Sequence, residues 1–305
     1  MTRVAAVDVG TNSVRLLVAE GPAPVRVVER EMRITRLGAG VDAAGVLDDA
    51  ALERTLACLD DYARRWRELG AERARIAATS AVRDAADRHR FFDGVRARTG
   101  VAAEVLSGDE EARTAFRGAT ALVEAEAPYL VLDIGGGSTE FIRGTSEPEA
   151  VSSRQLGCVR LRERALPGDP PGAAAVTAAR SAIAAELDVV ERLVDPVGAR
   201  TLIGVAGTVT TIGALHLELP AYLPERIHGT RVPAAAVHAL TERLLALPSA
   251  ERALLGPMAP GREDVIHAGA LILDEVVRRF GFDEVLVSES DILDGLALGL
   301  LPSAG

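Results

Sequence analysis

An acid, three glycines, two hydroxyls and a second acid stand almost in a row: Asp133, Gly135, Gly136, Gly137, Ser138, Thr139 and Glu140. The apolar run Tyr129–Leu132 precedes them, and Phe141 and Ile142 follow. An aliphatic run closed by glycines reads as a buried strand entering a tight turn. Successive glycines let backbone N–H groups converge on one point, which suits a phosphate. Acids on both sides of that nest repel an anion unless a divalent cation lies between them. The stretch therefore points to phosphate plus Mg²⁺. The competing reading of this segment alone is a glycine-rich hairpin with solvated acids.

A second such turn opens the chain. Val4–Val9 is apolar, Asp8 stands at its end, and Gly10, Thr11, Asn12 and Ser13 make the turn before Val14–Ala19. D-x-G at Asp8–Gly10 thus recurs as D-x-G at Asp133–Gly135, 125 residues on (133 − 8). Two phosphate-type hairpins a domain apart suit the two halves of a clamp. A third turn, with Gly207, Thr208 and Val209, follows the strand-like Arg200–Val205 and opens a helix-like segment. It too suits phosphate at a helix N-terminus, although a plain strand–helix connection explains it equally.

One more acid is singled out by helix geometry. Ser107-Gly108-Asp109-Glu110 fits a capping box, with Glu110 folding back on the Ser107 amide. Glu111 then points roughly 100° away around the helix and is available for chemistry. The alternative is a solvated acid favoured by the helix dipole.

The elements around these turns alternate between strand and helix. Leu52, Leu56, Leu59, Tyr62, Ala63 and Trp66 recur at helical spacing, with Gly70 placed to close the helix. A strand is expected at Arg75–Thr79, a helix at Arg90–Thr99, a strand at Gly100–Leu106, and a strand at Ala150–Leu156. An alanine-rich helix is expected over 173–194, helices over 233–246 and 262–279, a strand at Glu284–Val287 and a last helix at Asp291–Leu301. The pattern is α/β, and 305 residues suggest two domains.

Composition bounds the function. The net charge of −10 and only 3% aromatic residues argue against a nucleic-acid polymer as partner. All 34 basic residues are arginine. A Walker A loop needs its lysine, so a P-loop nucleotidase is excluded. Any phosphate clamp must use arginine forks, backbone amides and metal. Cys58 and Cys158 form no CxxC, and a reduced, cytoplasmic setting is expected. Thr201–Leu219 comes nearest to a membrane span, but its threonines and glycines read as strand and turn, so no membrane is expected. His89, His216, His228, His238 and His267 show no metal-ligand spacing and read as surface or structural.

Taken together, these segments resemble the exopolyphosphatase/guanosine pentaphosphate phosphatase (Ppx/GppA) family. The resemblance rests on AVDVGTNSVRLLVAE, RLGAGVDAAGVL, AATSAVRDAADR, LSGDEEAR, LDIGGGSTEF, GCVRL, GVAGTVTTI and REDVIHAGALIL, nearly end to end. It implies an α/β fold of two actin-like (ribonuclease H-like) domains with an interdomain cleft. Residues 1–120 would form the first and 121–288 the second, with 289–305 returning to the first.

The resemblance also implies roles. Glu111 would be the catalytic base, with Asp133 and Glu140 the other catalytic acids. Asp8, Asp133 and Glu140 would serve Mg²⁺ (or Mn²⁺). Gly10, Thr11, Asn12, Ser13, Gly135, Gly136, Gly137, Ser138, Thr139, Gly207, Thr208 and Val209 would form phosphate loops, with Arg15 and Arg83 near the phosphate chain. The implied reaction is hydrolysis of the terminal phosphoanhydride of inorganic polyphosphate, by a homodimer. Guanosine pentaphosphate (pppGpp) is the alternative substrate. An ATP-dependent kinase of the same superfamily and a non-catalytic sensor are readings from other classes.

Two departures stand out. The C-terminal HD-type helical region of long family members has no counterpart up to Gly305, which suggests a preference for short polyphosphates. The late V-S-x-x-G-L-R-E-G signature is here Val287-Ser288-Glu289-Ser290-Asp291-Ile292-Leu293-Asp294-Gly295. Asp291, Leu293 and Asp294 stand in place of the glycine, arginine and glutamate.

Overall fold

The computed structural model describes residues 2–21 and 25–301. Residues 302–305 of the closing segment lie outside the described residues. The chain divides into two compact units: Met1–Gly118 with Asp291–Gly305, and Ala119–Ser290.

In the first unit, β1 (Thr2–Val9), β2 (Ser13–Gly21) and β3 (Arg26–Ile34) form an antiparallel meander. β4 (Arg73–Ala78) and β5 (Ala103–Val105) extend it on the β1 side in parallel, giving the order β3-β2-β1-β4-β5. β1 is buried on both faces, so it reads as a continuous apolar run rather than an alternating one. Its side chains still divide by parity. Ala5, Val7 and Val9 enter one core and Val4 and Ala6 the other.

The first core is closed by helices Asp49–Glu68 and His89–Thr99, through Leu52, Leu56, Leu59, Tyr62 and Trp66 and through Phe91 and Val95. Each such fully buried side chain contributes about 1.5–3 kcal/mol. Asp48 caps the longer helix by accepting from the Ala51 amide at 2.8 Å.

Helices Gly108–Thr120 and Ile292–Leu300 close the second core, with Ala115, Ile292, Leu293 and Leu296. They touch backbone to backbone. A Cβ on Gly118 would lie 1.7 Å from the Asp291 carbonyl oxygen, and one on Gly295 2.1 Å from that of Thr114. Only glycine permits this approach. It brings Asp291 beside the β1–β2 hairpin.

The second unit repeats the plan. β6 (Tyr129–Ile134), β7 (Thr139–Gly144) and β8 (Pro148–Arg154) form an antiparallel meander. β9 (Thr201–Val205) pairs parallel to β6, and β11 (Glu284–Val287) parallel to β9. β10 (Arg231–Pro233) adds an antiparallel edge, and the order is β10-β11-β9-β6-β7-β8. Apart from β10, this is the order of the first sheet. Helices Ala173–Val194, Ala206–His216, Ala234–Ala246 and Ile266–Phe280 bury Ile183, Leu187, Val209, Ile212, Leu244 and Leu271 in one core with Leu130, Leu132 and Phe141.

Bounds shift where tertiary contacts overrule local pattern. The helix read from residue 262 starts at Ile266, because Arg262–Val265 form a turn, with the Val265 amide donating to the Arg262 carbonyl at 3.0 Å. The helix Cys158–Ala165, which periodicity does not announce, follows β8. Among the described residues no helix is long and apolar enough to cross a membrane.

Candidate active site

The two D-x-G turns are the same hairpin built twice. The Gly10 amide donates to the Ser13 carbonyl at 2.9 Å, and the Gly135 amide to the Ser138 carbonyl at 3.0 Å. Asp8 pairs across the strands with Arg15, and Asp133 with Glu140. Residues directly opposite in an antiparallel pair share a face. One hairpin therefore presents acid with cation, and the other acid with acid.

In the first hairpin Arg15 donates to Asp8 Oδ2 through Nε at 3.0 Å and Nη2 at 2.8 Å. Its Nη1 donates to Asp291 Oδ2. Burial raises the Asp8 pKa above the ordinary carboxylate value; Arg15 opposes that rise and Asp291 adds to it. Asp8 Oδ1 is buried without a hydrogen-bond partner. Thr11 shares a 2.8 Å hydrogen bond with Ser80, so its hydroxyl ties the turn to the segment after β4.

In the second hairpin Asp133 and Glu140 are 6% and 1% exposed. Glu140 Oε1 accepts from the Ser153 hydroxyl at 2.8 Å, which orients it from β8. The glycine loop is seated on the helix Cys158–Ala165. The Cys158 and Val159 amides donate to the Gly135 and Gly136 carbonyls at 2.9 Å, and the Arg160 Nε to the Gly137 carbonyl at 2.7 Å. With three carbonyls turned to that helix, the N–H side of the loop is the one aimed elsewhere, as anion binding needs. Gly157 permits the approach: a Cβ there would lie 2.3 Å from the Gly136 carbonyl oxygen. Ser138 is buried, and the Thr139 hydroxyl donates to the Leu156 carbonyl, so Thr139 braces the strand.

The third turn opens directly into a helix, as its sequence suggests. The helix Ala206–His216 begins at once after β9, with Ala206 at a φ of 64°. Arg262 Nη1 donates to the Gly207 carbonyl at 2.5 Å and to the Thr211 hydroxyl at 2.9 Å, packing a guanidinium over Gly207. Thr208 packs against Gly269, and the Val209 side chain belongs to the core.

Glu111 lies where the capping argument puts it. The Ser107 amide donates to Glu110 Oε2 at 2.9 Å, and the Glu110 amide to Ser107 Oγ at 3.2 Å. Glu111 is turned away from this box and is 7% exposed. Arg83 Nη1 donates to Glu111 Oε2 and to the Leu106 carbonyl, each at 2.9 Å. Arg83 thus positions the carboxylate from the helix Ser80–Asp84.

A hard cation suits the second hairpin best. Asp133 and Glu140 are oxygen donors on one face, the chemistry Mg²⁺ prefers. Asp8 is held by Arg15 through one oxygen and has the other to offer. Elsewhere in this unit, His238, Glu242 and Asp274 bring ligand atoms within 4.8 Å of one another. A cation already serves them: Arg180 donates to Glu242 at 2.7 Å and to Asp274 at 3.1 Å.

The model of the Ppx/GppA phosphatase family matches residues 16–304. The chain belongs to the Ppx/GppA phosphatase family. This Ppx/GppA chain is 46% identical to exopolyphosphatase 2 of Mycobacterium tuberculosis, over 98% of the chain and 99% of that protein. It is 30% identical to the guanosine-5′-triphosphate,3′-diphosphate pyrophosphatase of Aeromonas hydrophila, over 97% of the chain but 59% of that longer protein. Among solved structures it matches an exopolyphosphatase-like protein at 36% identity, with a TM-score of 0.95 and 98% of each chain covered.

Sequence reasoning missed Ser153, Gly157, Arg160, Arg262 and the contact of Asp291 with Arg15. Gly157 and Arg160 lie in GCVRL and Arg262 opens REDVIHAGALIL, segments that carried the family resemblance without giving these residues a place in the site.

Proposed function

We propose that this chain is an exopolyphosphatase that hydrolyses the terminal phosphoanhydride of inorganic polyphosphate and releases orthophosphate. The observation that carries the reading is the buried acid pair Asp133–Glu140 facing one way across a glycine hairpin whose carbonyls are turned aside. The full-length likeness to exopolyphosphatase 2 favours polyphosphate as substrate.

Phosphoryl transfer needs positioning and charge neutralisation more than covalent chemistry from the protein. In the proposed reaction the Gly136–Ser138 amides, with those of Thr11–Ser13 and of the first turn after β9, hold terminal phosphates. Arg83 sets the Glu111 carboxylate, and Glu111 orients a water and takes its proton as the oxygen attacks the terminal phosphorus. The new P–O bond forms, the bridging P–O bond breaks, and the shortened chain leaves with that electron pair. A base of this kind supplies roughly 10²–10⁴-fold in rate. Mg²⁺ or Mn²⁺, held by Asp133 and Glu140 with Asp8 as a further oxygen donor, would supply charge neutralisation when bound.

The second reading is pppGpp 5′-phosphate hydrolysis, favoured by the 30% likeness to the Aeromonas enzyme. One assay separates them: phosphate release with Mg²⁺ from short polyphosphate, long polyphosphate, pppGpp and ATP. Release mainly from polyphosphate supports the first reading; release confined to pppGpp replaces it. A cytoplasmic homodimer is part of the same proposal, tested by light scattering of the purified protein and by cell fractionation.

A further inference from the structure

The two hairpins are duplicates, yet their cross-strand pairs carry opposite charge. Where the second sets Glu140 opposite Asp133, the first sets Arg15 opposite Asp8. A cation at a phosphate hairpin should attract the substrate. Here it is spent on protein acids. Two guanidinium nitrogens go to Asp8 and the third to Asp291. Asp291 is 3% exposed and fixed at the start of the closing helix, where its Oδ1 accepts from the Leu293 amide at 3.0 Å. Its own amide donates to Asp294 at 2.9 Å, and Asp294 in turn accepts from Arg30 at 2.7 and 2.8 Å. Three carboxylates thus face two guanidinium groups, leaving the cluster beside the Gly10–Ser13 turn one negative charge over.

We propose that Asp291 is a specificity-determining residue that holds Arg15 against Asp8 and cancels its charge, so that the first hairpin receives a phosphate chain weakly. Asp291 acts through Arg15 and is a positioning residue, not a catalytic one. The close backbone packing of Gly118 against Asp291 and of Gly295 against Thr114 makes the restraint a built feature of the unit. The inference deepens the polyphosphate reading and rests on it for the identity of the anion.

The test is equilibrium binding of tripolyphosphate by calorimetry, with divalent metal chelated so that turnover does not intrude. Asp291→Asn keeps the shape and the helix cap, since asparagine caps as well as aspartate. It weakens the hold on Arg15, whose charge then serves the anion, and binding should tighten about fivefold, with a steeper loss on adding salt. In Asp291→Asn with Arg15→Met the gain should vanish. Unchanged or weaker binding in Asp291→Asn, or a gain that survives loss of Arg15, overturns the proposal. Structural damage alone would not tighten binding. Phosphate release by the wild-type protein, measured separately with Mg²⁺, judges the polyphosphate reading on its own.

Discussion

His267 should make the second unit acid-sensitive. It lies in the first turn of the helix Ile266–Phe280, is 0% exposed, and neither ring nitrogen has a hydrogen-bond partner. Burial pushes its pKa down to about 3 from the ordinary 6.5, and the nearby cations Arg252 and Arg162 add to this while Asp169 opposes it. Arg252 is itself buried and tied to the Glu263, Leu244 and Leu247 carbonyls and to Asp169. Protonating His267 would thus place a second cation in a region already holding one.

The sign follows from proton counting. Above the unfolded pKa, both states hold a neutral ring and the group adds no pH dependence. Below it, the unfolded chain binds a proton that the folded one refuses, so stability falls until the folded pKa is reached. At roughly 1.4 kcal/mol per unit, the loss is about 2 kcal/mol at about pH 5, and its ceiling is about 5 kcal/mol. That is a large share of a typical stability of roughly 5–15 kcal/mol.

The perturbation is His267→Leu, of similar volume and without titratable nitrogens. The assay is urea denaturation followed by far-ultraviolet circular dichroism, near neutral pH and at about pH 5. The leucine variant should gain about 2 kcal/mol on the wild type between the two conditions. Comparing two pH values cancels any packing difference. Parallel loss of stability in both proteins would refute the reasoning.

Three further outcomes follow from the second hairpin. Gly157→Ala drives a methyl group into the Gly136 carbonyl at 2.3 Å and the Gly137 amide at 2.5 Å. It should cost about 1–3 kcal/mol, read by denaturant midpoint, and lower phosphate release, because the glycine loop must leave its seat. Glu140→Gln keeps the shape and the Ser153 contact, so circular dichroism should be native while phosphate release drops by about 10²-fold or more. EDTA should lower wild-type release in the same way, and full activity in EDTA would remove the metal from the mechanism.

The legible parts of the molecule were those whose causes are local. Each D-x-G turn carries its acid, glycines and hydroxyls within eight residues, between apolar runs. The two hairpins and their cross-strand pairing follow from that. Ser107 and Glu110 announce their capping box, which orients Glu111 without any tertiary information. The helix 173–194 and the strand Glu284–Val287 emerge at the expected bounds, because periodicity and flanking residues agree there.

What was illegible depends on distant partners. Asp291 and Arg15 are 276 residues apart in the chain, and nothing near either one announces the other. The helix Cys158–Ala165 is too short for periodicity to reveal. Its purpose, holding the carbonyls of a glycine loop, lies in the approach of Gly157 to Gly136. The ion pair of Arg83 with Glu111, across 28 residues, has no local signal either. His238 showed no ligand spacing among the histidines, since its neighbours Glu242 and Asp274 are carboxylates and its group is already served by Arg180.

The central claim is that Glu111 activates the water that attacks a terminal phosphate. Phosphate release from tripolyphosphate with Mg²⁺, by the wild type and by Glu111→Gln of native circular dichroism, tests it most directly. The wild type should turn over and the variant should fall by about 10²-fold or more, with tripolyphosphate binding retained. A well-folded Glu111→Gln protein releasing phosphate at the wild-type rate would contradict it.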